Sequence, residues 1–440
     1  MIHYLKNRSP IFDAVLVLIS TFAALILAQN TAIWSIISDF IYNTYLIKSF
    51  DGIFPGILNI TKGITIEKFI NDFLVSVFFL MMGIKVKKEV LDGDLANPRQ
   101  AALPIIASCG GMIIPIALYL LVMNLTGANP QETRGWGIPM TTDIVFAIMM
   151  LDLAAKRVPR SLKVFLITST VIDDIGAMVV IIIISGVASL NFAWILMALV
   201  FLALLALMNY CRVNNLPAYL FVGLLMLIAC FFSGVHPTIA GLLLGLALPA
   251  KMLAATRRGR AQLARQNPGT APTPKLSPPP TLIDPNSTMS RCYHLFEPIS
   301  AILVVPIFSF ANSGVEMSGA AISAALSSPI AWGIAAGLLI GKPLGIFSFS
   351  LLAVKTKLAT LHRSLNWNYL FAVSIVTGIG FKLAMVLARL AFGVASENLY
   401  HARMSIILCG VLMAIIGQIY LFRLPELDPS ESVAGTNIHD

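Results

Sequence analysis

Charge is the commodity this sequence is short of. Only 12% of its residues are Asp, Glu, Lys or Arg, against about 25% in soluble globular domains. Cysteine is scarce too. Five are scattered (Cys109, Cys211, Cys230, Cys292 and Cys409) with neither a paired framework nor metal-ligand spacing, so buried structural thiols are expected. No His-Glu-x-x-His or Gly-x-Ser-x-Gly stretch occurs, which removes the usual zinc and serine hydrolases. No basic stripe with interleaved aromatics appears, so the net charge of +9 does not point to nucleic acid. No A-x-A cleavage site follows Lys6, Arg8 and the apolar run 11–29; that run is expected to be a first span, not a removed signal. No cofactor is implied.

What remains is apolar. Hydrophobic residues make up 58% of the 440 and the mean hydropathy is +0.85. Apolar runs recur along the whole chain, which predicts one all-α, polytopic membrane protein. Twelve helices are expected near 11–29, 66–86, 101–124, 137–155, 161–185, 192–209, 216–231, 234–249, 297–313, 331–353, 368–393 and 402–422. Several fall short of the ~20 residues of a simple span, so tilted or broken helices are expected. Residues 30–65 read as a long connection with turns at Asp51-Gly52 and Pro55-Gly56. The membrane domain divides into helices one to eight (1–250) and nine to twelve (293–422), joined by a basic, then proline-rich cytoplasmic linker over 251–292. A polar, disordered tail is expected over 423–440.

With an even number of spans, both ends lie on one side. The loops of that side carry Lys87, Lys88, Arg99, Lys156, Arg157, Arg160, Lys163 and Arg212, many bases of the linker, and Lys355, Lys357 and Arg363. The opposite loops offer Lys48, Lys62, Lys68 and Arg134. The bias predicts cytoplasmic termini.

Against this apolar background, Asp173 and Asp174 stand side by side inside the run 165–184. One carboxylate at membrane depth costs about 2.5–3.5 kcal/mol on insertion scales, and two neighbours cannot both ionise cheaply. A proton- or cation-holding pair is the functional reading; a locally satisfied buried pair is the bland one. Successive helical residues point about 100° apart, so one acid can face an ion path while the other meets a cation. Lys342, inside Gly341-Lys342-Pro343-Leu344-Gly345-Ile346, is a buried cation in need of such a partner. Asp143 follows Pro139, Thr141 and Thr142. Thr-Thr-Asp suits a helix N-cap as well as a polar crossing. Gly378 and Gly380, in Thr377-Gly378-Ile379-Gly380, favour an unwound stretch.

These pieces resemble the NhaA-type sodium/proton antiporters from about residue 70 to about 393. The shared words are Val77-Phe78-Phe79-Leu80, Thr142-Asp143-Ile144, Arg157-Val158-Pro159, Ile172-Asp173-Asp174, Ser233-Gly234-Val235-His236 and Ala240-Gly241. Phe310-Ala311-Asn312, the Lys342 stretch and Gly378-Ile379-Gly380-Phe381 complete them. The resemblance implies inverted repeats formed by helices three to five and ten to twelve, with the fourth and eleventh broken and crossing near mid-membrane. It assigns ion and proton carriage, and sodium binding, to Asp174 and Asp173, with Asp173 pairing with Lys342. Asp143, Thr142, Lys342, Gly378 and Gly380 support the crossing, and His236 is expected to be a satisfied structural histidine. It further implies a multi-pass protein of the bacterial inner membrane. Such a protein exchanges cytoplasmic sodium or lithium for external protons, electrogenically and by alternating access, and a homodimer among lipids is the implied assembly.

The sequence also departs from the family. Lys382 stands where a small hydroxyl residue is usual, with Arg389 one heptad later on roughly the same face. Lys85 replaces a glutamate, Asp152 is an extra acid, and the usual acidic cluster near helix nine becomes Tyr293, His294 and Glu297. Snorkelling or a solvated helix end is expected for Lys85 and Asp152. Lys382, Glu89, His294 and Glu297 are expected to modulate the site. Two other classes remain in view. An intramembrane aspartyl protease brings its acids from separate helices, one in Gly-x-Gly-Asp, whereas here Gly378-Ile379-Gly380 leads to Phe381. A transport-impaired homologue acting as a sensor or assembly partner is permitted by Lys382, Arg389 and the linker.

Overall fold

The computed structural model describes residues 10–47, 64–92, 98–184, 191–250, 283–284, 286–362, 364–393 and 396–427. The turns at 51–56, most of the linker (251–282) and the tail from 428 lie outside the described residues. Each of the twelve apolar segments is helical. Nine helices among the described residues are long and apolar enough to cross a membrane, and one further pair qualifies as a span bent by 41°.

In chain order the helices are α1 (Pro10–Ala28), α2 (Thr31–Asn43), α3 (Ile66–Leu91), α4 (Pro98–Thr126) and the broken pair α5 (Pro130–Met140) and α6 (Ile144–Leu153). Then come α7 (Arg160–Ile184), α8 (Phe192–Tyr210), α9 (Leu216–Ser233), α10 (Thr238–Ala247) and α11 (Thr288–Ser313). Last are α12 (Gly319–Ser327), α13 (Pro329–Lys355), a second interrupted pair α14 (Trp367–Val376) and α15 (Lys382–Phe392), and α16 (Glu397–Arg423). Two helices, α2 and α12, are additions to the sequence expectation, and α11 is longer than expected. α2 occupies part of the presumed connection 30–65, capped by the Asn30 side chain, and a short antiparallel ladder pairs Tyr45 with Thr65 behind it. α11 starts at Thr288, inside the last residues expected of the linker, because Ser287 caps it by accepting from Ser290 N–H.

Close backbone packing positions the site helices. A Cβ on Gly345 of α13 would lie 2.2 Å from the Gly110 carbonyl of α4, and one on Gly241 of α10 would lie 2.1 Å from the Ser76 carbonyl of α3. Only glycine lets these pairs approach so closely, and the first contact fixes the height of Lys342. Lys87 then ties the end of α10 to α3 by donating to the Leu246 and Leu248 carbonyls at 2.7 and 2.6 Å. π-helical turns interrupt α3 at Phe69–Leu74, α11 at Ser300–Val304 and α13 at Ala336–Gly341. Such turns often mark functional positions, and each here adjoins a buried charge or an internal cavity.

Candidate functional site

Two breaks meet in the interior. Before α6 the chain is extended at Thr141 and Asp143; before α15 it is unwound from Thr377 to Phe381. The freed backbone groups at this depth need partners, and the breaks supply them to each other. Asp143 N–H donates to the Ile379 carbonyl at 2.7 Å. The Asp143 carboxylate accepts from Val145 N–H of its own helix at 3.0 Å and from Lys382 N–H at 3.3 Å. Asp143 is therefore an N-cap and a crossing residue at once: one carboxylate faces the positive ends of both α6 and α15. Thr142 Oγ1 lies 2.8 Å from Asp173 Oδ2 and 2.9 Å from the Thr377 carbonyl; its single proton serves one at a time. Gly378 and Gly380 are needed for clearance. A Cβ on Gly380 would meet the Thr141 carbonyl at 3.0 Å, and one on Gly378 would meet Met413 Cε at 2.4 Å.

Lys342 reaches this crossing from α13. Its Nζ lies 2.6 Å from Asp173 Oδ2 and also donates to the Met140 carbonyl, the last of α5. Both members of the ion pair are fully enclosed, at 0% and 1% side-chain exposure. Asp174, one residue on, turns elsewhere. No hydrogen bond or ion pair from a described residue reaches it, and it lines a cavity of about 90 Å³ with room for several waters. Asp13, Lys85, Glu297 and Lys382 share that lining.

Several sequence expectations need correction. Lys85 keeps an exposed side chain, as expected of a solvated lysine, but it also lines the cavity with Asp174. Asp152 is not left to solvent: Lys163 holds it at 2.6 Å. Cys211 is exposed, not buried. His236 is only half satisfied, its Nδ1 2.6 Å from Thr238 Oγ1 while Nε2 stands 3.8 Å from Asp72. The modulating residues divide. Lys382 Nζ lies 3.1 Å from Asp143 Oδ1, poorly aligned for a hydrogen bond, and 5.3 Å over the Phe78 ring. Glu297 lines the cavity, Glu89 accepts from Thr168 at 3.3 Å, and His294 is exposed against the Tyr293 ring. Asp13 had no place in the sequence reading. Four residues into α1, it looks like an ordinary acid of a helix start, although its distance into an apolar run was a usable signal.

The family described as Na+/H+ antiporter 1 matches residues 6–421. The Na(+)/H(+) antiporter NhaA of Tolumonas auensis is 39% identical over 366 residues, 83% of each chain. That of Glaesserella parasuis is 35% identical over 428 residues, 96% of this chain and 97% of its own. A solved structure, the sodium proton antiporter MjNhaP1 from Methanocaldococcus jannaschii, aligns over 94% of this chain at 13% identity with a TM-score of 0.43, too distant to add weight. With the match spanning nearly its whole length, the chain belongs to the Na+/H+ antiporter 1 family and is a multi-pass membrane protein.

Proposed function

We propose that this protein exchanges sodium or lithium for protons, with Asp174 as the alternating carrier. The observation that carries the reading is the asymmetry of the acid pair: Asp173 is neutralised by Lys342, while Asp174 meets only the cavity. A carboxylate in that position takes a proton or a desolvated alkali cation, and cannot hold both. That exclusion couples the fluxes, and rearrangement about the crossed breaks presents either state to alternate sides. Asp143 and Thr142 keep the crossing electrically balanced as the helices move. The basic loops favour cytoplasmic termini, so the inward proton gradient of a bacterial inner membrane would drive sodium out. Exchange of more protons than sodium adds about 2.3 kcal/mol per net charge per 100 mV.

Lys382 is the residue that sets this chain apart. Its ammonium sits against Asp143 and shares the cavity with Asp174, so it repels an arriving cation. The same feature favours a second reading, a transport-impaired homologue that senses or assembles. Sodium-induced collapse of the pH gradient in energised inverted vesicles, from cells lacking other antiporters, separates the two. The exchange reading requires collapse, and the impaired reading requires none.

A further inference from the structure

Beyond the ion site, α3 and α15 carry a second group of buried charges. Arg389 Nε donates to Glu67 Oε1 at 2.6 Å and its NH1 to Asp72 Oδ1 at 3.3 Å. Asn71 donates to Glu67 at 3.0 Å, Asn312 of α11 donates to Asn71 at 3.0 Å, and Arg403 of α16 donates to Asn312 at 2.9 Å. The group holds two arginines and two carboxylates, of which Arg389 alone pairs with the acids, so its formal charge balances. It draws together α3, α11, α15 and α16, four helices that also border the crossing or the cavity.

Between this network and the cavity lies an apolar plug. Val75, Phe78, Val304, Val305, Phe308 and Val386 close around a void of about 10 Å³ whose remaining wall is Lys382. That is at the lower limit for one water, and no polar partner besides Lys382 lines it. Along α15 the order is Lys382, Val386, Arg389, one helix face stepping from cavity to plug to network. The opposing α3 repeats the order in reverse chain sense, with Lys85 in the cavity, Val75 in the plug and Asp72 in the network. The cavity is lined from the side of Asp13, near the start of α1, and Glu297, in the first half of α11; the network sits at the opposite end of the path.

We propose that the Arg389–Glu67–Asp72 network is the latch of a gate that closes the ion path on the side away from the cavity, and that it opens once per cycle. This rests on the alternating-access reading, because an ion released from Asp174 to that side must pass between α3 and α15. An apolar constriction alone blocks a hydrated ion by excluding water; the ion pairs behind it hold the two helices together. The π-helical turn at Phe69–Leu74, which carries Asn71 and Asp72, gives α3 a place to change register when the latch parts.

The test places a reporter in the plug. In a chain with its five cysteines replaced, Val386→Cys is exposed to a membrane-impermeant maleimide in right-side-out and in inverted vesicles. Arg389→Gln should speed labelling at least tenfold from the network side alone. Asp72→Asn, which leaves the Glu67 pair in place, should give a smaller increase and stands in if the first variant does not reach the membrane. Unchanged labelling in both overturns the latch. Separately, Glu67→Cys with Arg389→Cys, joined by a short cleavable bis-thiosulfonate, should lose exchange at least tenfold and regain it on reduction. Undiminished exchange in the joined protein also overturns it. If the parent exchanges no ions at all, the transport reading fails, while labelling still reports the gate.

Discussion

Removing the Lys342 ammonium is the sharpest perturbation the site offers. In Lys342→Ala, Asp173 loses a partner at 2.6 Å in surroundings that leave it 1% exposed. The Met140 carbonyl at the end of α5 loses its donor as well. Thr142 remains, but its one proton is shared with the Thr377 carbonyl. Breaking a buried pair from one side costs about 3–5 kcal/mol in soluble proteins, and Asp173→Asn alone should cost a similar amount by stranding the lysine. If the pair is a unit, Lys342→Ala with Asp173→Asn should cost less than the sum, by about 0.5–3 kcal/mol. The neutral double variant buries no unpaired charge and keeps an amide for Thr142. Thermal melting of the four purified proteins in one detergent measures the cycle. Strictly additive shifts would show that Asp173 and Lys342 do not act on each other, and the argument that Asp173 is neutralised would collapse.

Three further outcomes follow from the same geometry. Lys382→Thr should tighten the apparent sodium affinity in vesicles by about tenfold, the order of effect of removing one like charge across a small cavity at an effective dielectric near 20; an unchanged half-saturation makes Lys382 a bystander. Gly345→Val should destabilise the protein by about 1–3 kcal/mol or more, since overpacking here forces α13 off α4, and an unaltered melting temperature contradicts the tight contact. Thr142→Val removes a hydroxyl that serves two buried acceptors and should cost about 1–3 kcal/mol; Thr142→Ser should recover most of that in the same melting assay.

The sequence was most legible where one feature stood out locally. Apolar runs marked every long helix, and a carboxylate pair or lysine in such a run announced itself by its cost. The Lys382–Asp143 contact was also foreseeable, because antiparallel crossing of two broken helices brings their starts together. Convergence of distant segments was harder to read. Glu67 and Asp72 look like acids of a helix start, and Arg389 like a cation near a helix end, until the fold brings them within 3.3 Å. Lys85 was legible only in part: its side chain is exposed as a solvated lysine's would be, yet it also lines the cavity, as does Asp13 near the start of α1. α2 was missed because Asp39 and the flanking Asn30 and Asn43 lower its apolar signal below that of a span.

The central claim is that Asp174 carries the exchanged ion, and one measurement addresses it directly. Inverted vesicles bearing Asp174→Asn or the parent chain, at matched amounts of protein in the membrane, are energised and then given sodium or lithium while the pH gradient is followed. The parent should dissipate the gradient on cation addition, and Asp174→Asn should leave it standing at every concentration tested. Full exchange by the asparagine variant would contradict the account, since an amide can neither release a proton nor match a carboxylate for sodium.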